Sequence, residues 1–180
     1  MEQSIIRAAS QGDKNSFKMI FEYYMPRMRP VALRYARSSF ESEDILQDSF
    51  VKIYHKLSTY SFQGDFEGWI KAIVINTALN YYKKNKNTYS FERIESIIDA
   101  NTEAEEEEED RLKELDSASI LEAINELPEG YKIVFNLYVF EGHSHKEIAE
   151  MLGISEVTSR TQFFKARGIL KKTISQATKR

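Results

Sequence analysis

Apolar residues recur at a spacing of three and four along most of this chain, which is the pattern of helices that bury one face. The spacing predicts helices over residues 2–11, 13–37, 41–57, 66–86, 111–125 and 128–141, then two shorter ones over 144–152 and from 155 onward. Residues 88–116 lose the clear pattern, which returns gradually toward 111–125 through Leu112, Leu115, Ile120, Leu121 and Ile124. The chain is therefore expected to be all-α, with two helical domains on either side of an unpatterned segment.

Residues 41–57 carry a buried stripe on one side and polar groups on the other. Glu41, Glu43 and Asp44 place carboxylates in the first turn, where the helix dipole favours them. The predicted apolar stripe is Leu46, Phe50, Ile53, Tyr54 and Leu57, and the opposite face holds Asp44, Gln47, Asp48, Val51, Lys52 and His55. By itself that face is better explained as an ordinary solvated surface.

Residues 66–86 form a helix that Asp65 can cap, preceded by the loop 58–65. Its predicted inward side chains are Trp69, Ile70, Ile73, Val74, Thr77 and Tyr81, and its outward ones are Asn76, Asn80, Lys83, Lys84 and Asn87. Lysines hold phosphates, amides read base edges, and the loop aromatics Tyr60 and Phe62 can stack on unpaired bases. These residue types suit nucleic acid, although taken alone they are better explained by a plain amphipathic helix with a polar outer face.

Residues 144–167 predict a helix-turn-helix, the motif whose second helix enters the DNA major groove. Ser144 and Glu147 form a capping box, and Ile148, Ala149 and Leu152 supply the apolar face of the first helix. Gly153 allows the sharp turn because it tolerates a positive φ. Ser155 can cap the second helix, which presents its polar side chains outward: Arg160, Thr161 and Lys165.

The net charge of −3 hides a segregation of charge. Residues 92–116 hold 12 acidic and 3 basic side chains, including the acidic run Glu105–Asp110. Residues 155–180 hold 7 basic side chains and a single Glu. Because a block of like charge repels itself, the middle segment is expected to be a flexible acidic linker between two more basic parts.

Composition excludes several classes of protein. There is no cysteine, so disulfides and thiolate zinc sites are absent. The longest apolar run, residues 72–75, is too short to cross a bilayer, and we expect a cytoplasmic protein without membrane insertion. His143 and His145 do not share one helical face, and no metal motif, glycine-rich phosphate loop or nucleophile turn is present. The sequence therefore predicts neither an enzyme nor a cofactor.

In this order the motifs resemble those of bacterial RNA polymerase sigma factors of the sigma-70 family, extracytoplasmic-function (ECF) group. EDILQDSFVKIYHKL (43–57) is similar to region 2.2, and FEGWIKAIVINTALNYYKK (66–84) to regions 2.3–2.4. LPEGYKIVFNLYVFEGHSHKEIAEMLGIS (127–155) and the helix after it resemble region 4. The resemblance implies a region 2 domain over 1–87, a linker over 88–112 and a region 4 domain over 113–180.

The resemblance also implies a role for each polar face. Region 2.2 would dock on the polymerase β′ clamp helices through Asp44, Gln47, Asp48 and Lys52. Regions 2.3–2.4 would capture the opened −10 element through Tyr60, Phe62, Asn76, Asn80, Lys83 and Lys84. Region 4 would touch the β flap and read the −35 duplex through Ser155, Glu156, Val157, Arg160, Thr161, Phe164 and Lys165. Family members are often held inactive by an anti-sigma factor, so such a partner is expected.

Two departures from the family pattern bear on these roles. Ala72 and Ile75 stand where arginines are common, which predicts a weaker grip on phosphate. Val157 points toward DNA, and Ser159 occupies a position that is usually apolar. The helix-turn-helix alone fits a stand-alone transcriptional regulator equally well. Such a regulator would need neither an acidic docking face nor a lysine, asparagine and aromatic face upstream.

Overall fold

The computed structural model describes residues 1–88 and 117–177, with the side chains of 1–84 and 121–174, and within these ranges it contains helices and no strand. The helices are α1 (Gln3–Ser10), α2 (Lys14–Tyr35), α3 (Ser39–Lys56), a 3₁₀ turn (Leu57–Thr59), α4 (Phe66–Thr88), α5 (Ser117–Asn125), α6 (Glu129–Val139), α7 (His145–Leu152) and α8 (Glu156–Ala177). Contacts divide the chain into two compact units, Met1–Lys86 and Asn87–Arg180.

The all-α prediction is confirmed for these ranges. The predicted acidic linker, 88–112, and the predicted start of the last domain at 113 lie almost wholly outside the described residues.

The N-terminal unit packs α1 and α3 against α2, with the 3₁₀ turn contacting both α1 and α3. Apolar residues that recur at helical spacing meet in its interior, as the sequence predicts. The largest fully buried side chains there are Ile20, Met28, Ile45, Leu46, Ile53, Leu57, Ile70 and Val74. Burying side chains of this size contributes about 1.5–3 kcal/mol each, which makes this interior the main source of the unit's stability.

Side-chain caps set where the helices of this unit begin. The Asp13 carboxylate accepts a hydrogen bond from the Ser16 amide at 2.7 Å, and Asp65 accepts one from the Gly68 amide at 2.8 Å. Ser38 caps α3 through the Glu41 amide at 3.1 Å. Because of this cap, α3 begins at Ser39, two residues before the predicted start at residue 41.

The C-terminal unit packs α5, α6 and α7 against the long helix α8. One cluster joins α5 to α8 through Ala123, Ile124, Leu127, Ala166 and Leu170, with Tyr131, Phe135, Ile169 and Ile174 packed around it. Ile133, Val134, Leu137 and Ile148 are fully buried as well. The α7–α8 pair that forms the predicted helix-turn-helix is therefore supported by packing against α5 and α6.

One member of the predicted α3 stripe is not buried. Tyr54 keeps 42% of its surface exposed, although its neighbours on the stripe, Phe50 and Ile53, are buried. Its ring packs edge to face on Phe17 of α2, with centroids 4.9 Å apart. Tyr54 sits at the edge of the stripe, where α2 covers it on one side and leaves the other open.

Candidate docking and nucleic-acid surfaces

The polar face of α3 lies at the surface, with two of its members tied to α4. Gln47 and Asp48 are exposed, while Asp44 and Lys52 are half-buried. Asp48 accepts a hydrogen bond from the Tyr81 hydroxyl at 2.7 Å. One turn further along, the Lys52 ammonium donates to Thr77 Oγ1 at 3.1 Å. These two bonds, here called the α3–α4 hydrogen-bond pair, join the predicted docking helix to the predicted −10 helix.

The Tyr81 hydroxyl is held in its protonated, donating form. Burial, followed by the hydrogen bond to Asp48 and the negative charges of Asp48, Asp44 and Glu41, raises the pKa of Tyr81 to about 12. Each of these causes penalises the phenolate. The phenol therefore remains a donor to Asp48 at any physiological pH.

The loop between α3 and α4 is built on aromatic rings. The Tyr60 ring lies 5.1 Å from Phe62, 5.0 Å from Phe66 and 5.2 Å from Trp69, centroid to centroid. Phe66 and Trp69 stack with an interplanar angle of 17°. The loop thus has a packed interior of its own, although it has no helical periodicity from which this could be predicted.

Tyr60 does not offer the open ring that the sequence predicts. It is only 8% exposed, because the rings of Phe62, Phe66 and Trp69 surround it. Its hydroxyl donates to the Gly64 carbonyl at 3.1 Å, which closes the loop on itself. Tyr60 therefore supports the loop from within, and Phe62, which is half-buried, is the predicted stacking residue whose ring reaches the surface.

The outer face of α4 carries the four remaining predicted −10 residues. Asn76, Asn80, Lys83 and Lys84 are all exposed. Asn76 donates one amide hydrogen to the Ala72 carbonyl of its own helix at 2.8 Å. Of the predicted inward side chains, Ile70, Val74 and Thr77 are buried, while Trp69, Ile73 and Tyr81 are half-buried. The side of α4 that faces the interior also includes residues outside the predicted set: Phe66, Ile75, Ala78 and Leu79 are buried.

The helix-turn-helix has the local geometry that its sequence predicts. Gly153 adopts φ 65° at the end of α7, and both bonds of the Ser144–Glu147 capping box are formed. The Ser155 hydroxyl accepts from the Thr158 amide at 3.0 Å and so caps α8. The turn and both helix starts are thereby fixed by short-range contacts.

Six of the seven predicted −35 residues lie exposed on the first two to three turns of α8 or just before it, and Lys165 is half-buried. The exposed six are Ser155, Glu156, Val157, Arg160, Thr161 and Phe164. Val157 is the most open, with 72% of its surface exposed. The Arg160 guanidinium donates to the Glu156 carboxylate at 2.6 Å, so the two residues present a paired charge at the surface.

A polar contact inside the helix-turn-helix joins its two helices. Ser159 is fully buried, and its hydroxyl lies 2.9 Å from Nδ1 of His145 at the start of α7. The His145 ring stacks on Tyr138, with centroids 4.6 Å apart and an interplanar angle of 15°. Burial and the charge of Arg160 lower the pKa of His145, with Glu156 acting in the opposite sense.

The contact between His145 and Ser159 is not among those that the sequence analysis predicts. The available signal was Ser159 itself. A hydroxyl on a buried stripe with Phe163, Ala166 and Leu170 requires a hydrogen-bond partner, and a nearby histidine is a natural one.

Residues 1–88 and 117–177 contain no group of histidine, aspartate and glutamate side chains arranged to hold a metal ion. Within the same residues, no helix combines the length and apolar character needed to span a membrane.

Comparison with protein families gives two matches, in the order of the two units. Residues 20–88 match the family model for Sigma-70 region 2, and residues 117–170 match the one for Sigma-70, region 4. Together the matches cover about two thirds of the chain and include every residue discussed above for α4 and for the first turns of α8.

Three relatives that match over nearly their whole length are RNA polymerase sigma factors. The chain is 26% identical over 180 residues to the ECF RNA polymerase sigma-E factor of Haemophilus influenzae, covering 96% of this chain and 95% of that protein. It is 26% identical over 184 residues to the RNA polymerase sigma-H factor of Pseudomonas aeruginosa, covering 96% and 93%. For the ECF RNA polymerase sigma-E factor of Escherichia coli K12 the identity is 24% over 177 residues, covering 92% and 90%.

Two solved structures share the fold. One is the sigma factor RpoE of Bartonella quintana in complex with the anti-sigma factor NepR, with TM-score 0.51 and 21% identity over 88% of this chain and 96% of that one. The other is CnrH in complex with the cytosolic domain of CnrY, with TM-score 0.50 and 20% identity over 96% of each chain.

Proposed function

Because the chain belongs to the sigma-70 family of RNA polymerase sigma factors, in its ECF group, we propose a division of promoter recognition between its two units. It is a sigma factor, the subunit that binds core RNA polymerase, recognises the −10 and −35 elements and promotes DNA melting. The observation that carries the division is that one unit combines an acidic helix face with an exposed lysine and asparagine face, while the other carries a helix-turn-helix.

The α3 face is the docking surface for the β′ clamp helices. Gln47 and Asp48 are exposed and Asp44 and Lys52 flank them, so the face offers carboxylate acceptors beside an ammonium donor. The neighbouring side chains Val51 and Tyr54 are exposed apolar groups, at 57% and 42%. A polar rim around a small apolar centre is the composition of a protein–protein interface.

The loop and α4 capture the non-template strand of the opened −10 element. Lys83 and Lys84 hold phosphates, and Asn76 and Asn80 reach base edges from the same exposed helix face. Phe62 supplies a ring for a base that has left the stack, and Tyr60 supports it from below. Stacking of this kind contributes about 1–3 kcal/mol per base, enough to offset the few kcal/mol that unstacking costs.

The N-terminal turns of α8 read the −35 duplex. Arg160 and Thr161 offer donors to base edges or phosphates, Val157 offers methyl groups to a thymine, and Phe164 and Lys165 extend the contact. Glu156 holds Arg160 at 2.6 Å and so restricts the directions in which its guanidinium can point. Ser155 caps the helix whose first turn enters the groove.

The remaining assignments follow from this function. The domain boundaries are 1–87, 88–112 and 113–180, and the protein acts in the cytoplasm without catalysis of its own and without a cofactor. Its partners are core polymerase, promoter DNA and an anti-sigma protein. Support for the last comes from the solved relatives, which are complexes with an anti-sigma factor and with a cytosolic partner domain.

The test is reconstitution of transcription. Core polymerase from the source organism is incubated with and without the full chain on its genomic promoters, and the transcripts and the co-purification of the chain with core are measured. We expect the chain to co-purify with core and to direct initiation at a subset of promoters. A chain that binds duplex DNA alone as a dimer, and neither joins core nor starts transcripts, would instead be a stand-alone regulator.

A further inference from the structure

The loop from Tyr60 to Asp65 is closed by its own hydrogen bonds and rests against α1. Tyr60 donates to the Gly64 carbonyl at 3.1 Å, and Gly64 takes a positive φ of 90° to complete the turn. Ile6 and Ala9 are buried on the inner face of α1. The same helix contacts the 3₁₀ turn that leads into the loop. The outer side of α1 is therefore held at a set position beside the loop.

Phe62 is the one non-glycine residue with a positive φ among residues 1–88 and 117–177, at 57°. Its bulky side chain makes this left-handed conformation unfavourable, because Cβ crowds the following carbonyl oxygen. Glycine or asparagine would fit with less strain. A strained backbone persists only where surrounding contacts hold it, and such positions cluster at functional sites.

Two contacts hold the Phe62 ring. The Tyr60 ring lies on one side, with centroids 5.1 Å apart. The guanidinium of Arg7, on α1, lies over the ring with its Cζ 4.5 Å from the centroid. A cation at this distance from an aromatic face is attracted to it. Arg7 itself is exposed, so its charge also faces the solvent beside the ring.

We propose that Arg7 is a positioning residue for nucleobase capture: stacked on Phe62, it holds the strained ring ready as a stacking surface for an unpaired base. The inference rests on the proposed function of the loop and α4 as the −10 capture site. The ligand is an unpaired base of single-stranded DNA, which stacks on Phe62. Arg7 lies outside the segment that matches Sigma-70 region 2, which begins at residue 20.

Capture is measured with the full chain bound to core polymerase. The probe is a fork-junction DNA taken from a promoter at which the wild-type protein initiates, duplex upstream and single-stranded through the −10 element, with 2-aminopurine replacing successive non-template bases. Arg7→Ala is expected to weaken capture about three- to ten-fold. Arg7→Lys keeps the charge and is expected to restore part of the loss.

Arg27→Ala is the matched control. Arg27 lies over the Tyr23 ring at 3.6 Å, so this change removes the same charge from an arginine–aromatic pair confined to α2. We expect it to leave capture at the wild-type level. The Phe62→Leu background tests the route of action, because without the phenyl ring Arg7→Ala should cause little further loss.

The strain is tested separately by comparing Phe62→Gly with Phe62→Ala. Both lose the ring, but only glycine accepts φ 57° without strain, so Phe62→Gly should unfold at the higher urea concentration. The fluorescence of Trp69, the sole tryptophan of the chain, reports unfolding of this unit. Equal midpoints, or a more stable alanine variant, would contradict the claim that the loop is strained.

The positioning role is overturned if Arg7→Ala captures DNA as well as the wild type, or no worse than Arg27→Ala does. It is also overturned if the loss is undiminished in the Phe62→Leu background, since Arg7 would then act on DNA directly. A wild-type holoenzyme that captures the fork no better than core alone would instead refute the proposed function, and the inference with it.

Discussion

The two units differ in what their candidate functional residues do for the fold. In the N-terminal unit, Asp48 and Lys52 of the docking face are hydrogen-bonded to Tyr81 and Thr77 of α4. In the C-terminal unit, the hydrogen bonds of the exposed side chains at the start of α8 to other described residues stay within α8 and its cap. Arg160, for example, pairs with Glu156 one turn away.

This difference determines which functions can be separated by mutation. A surface residue with local contacts can be changed with little effect on stability, whereas a residue bonded to a second helix contributes to both binding and folding. The resemblance implies that substitutions in the docking face and in the −10 face each impair one function. Because the α3–α4 hydrogen-bond pair joins the two helices, substitutions at Asp48 or Lys52 are expected to change both core binding and stability. In the helix-turn-helix, substitutions of the exposed side chains should change DNA recognition with little effect on stability.

The largest effect is expected from Asp48→Lys. Charge reversal should weaken core binding about ten- to a hundred-fold and, by removing the acceptor of Tyr81, lower the free energy of unfolding by about 1–3 kcal/mol. Asp48→Asn keeps an oxygen acceptor, so its loss of core affinity should exceed its loss of stability. Core affinity is measured by fluorescence titration, and unfolding in urea by Trp69 fluorescence. An Asp48→Lys variant of unchanged stability would show that the bond to Tyr81 contributes nothing.

A smaller effect is expected from Tyr81→Phe, which removes only the hydroxyl. Asp48 is exposed and can turn to water, so the loss should be about 1 kcal/mol in the urea unfolding of the N-terminal unit. Tyr54→Phe is the control, since the Tyr54 ring packs on Phe17 and its hydroxyl plays no part in the pair. If both variants lose the same amount, the docking face and α4 are not coupled through this bond.

The smallest effect concerns pH and the C-terminal unit. The pKa of His145 is lowered by burial and by Arg160, so the unfolded chain binds the proton more readily than the folded one. Stability should therefore be complete above the unfolded pKa of about 6.5 and decrease as the pH falls below it. Protonation would place a second positive charge close to that of Arg160, in a half-buried position.

This decrease is measured between pH 7 and pH 5 by circular dichroism in urea, with Trp69 fluorescence used to locate the separate transition of the N-terminal unit. His145→Gln can still bond the Ser159 hydroxyl but does not titrate, so its slope should be flatter in this range. Hydrogen bonds from Ser144 also lower the pKa of the Glu147 carboxylate, but this changes stability only below about pH 4.5, outside the pH range measured. A variant with the wild-type slope would assign the pH dependence to other groups.

Much of the fold could be predicted because its determinants are local. The caps at Asp13 and Ser144 and the left-handed Gly153 lie within a few residues of the groups they contact. Helical periodicity likewise predicts buried residues such as Phe50, Ile70 and Leu152, since one face of each helix must be apolar.

The incorrect predictions have a different cause. Periodicity shows which face of a helix turns inward, but not how far a neighbouring helix covers it, so Tyr54 at the edge of its stripe was expected to be buried. The loop has no period at all, so the burial of Tyr60 and the contact between Arg7 and Phe62 could not be foreseen. The bonds from Asp48 to Tyr81 and from Lys52 to Thr77 join residues 33 and 25 positions apart, and no local pattern encodes them.

The division of labour between the units is tested most directly by promoter selection. A library randomised in both the −10 and −35 elements is transcribed by core polymerase with the wild-type chain, with Arg160→Ala or with Asn80→Ala, and the transcripts are sequenced. We expect Arg160→Ala to relax preference only in the −35 element, by about 1–3 kcal/mol at the base it contacts, and Asn80→Ala to relax it only in the −10 element. Relaxation of both elements by either variant, or of neither by both, would contradict the assignment.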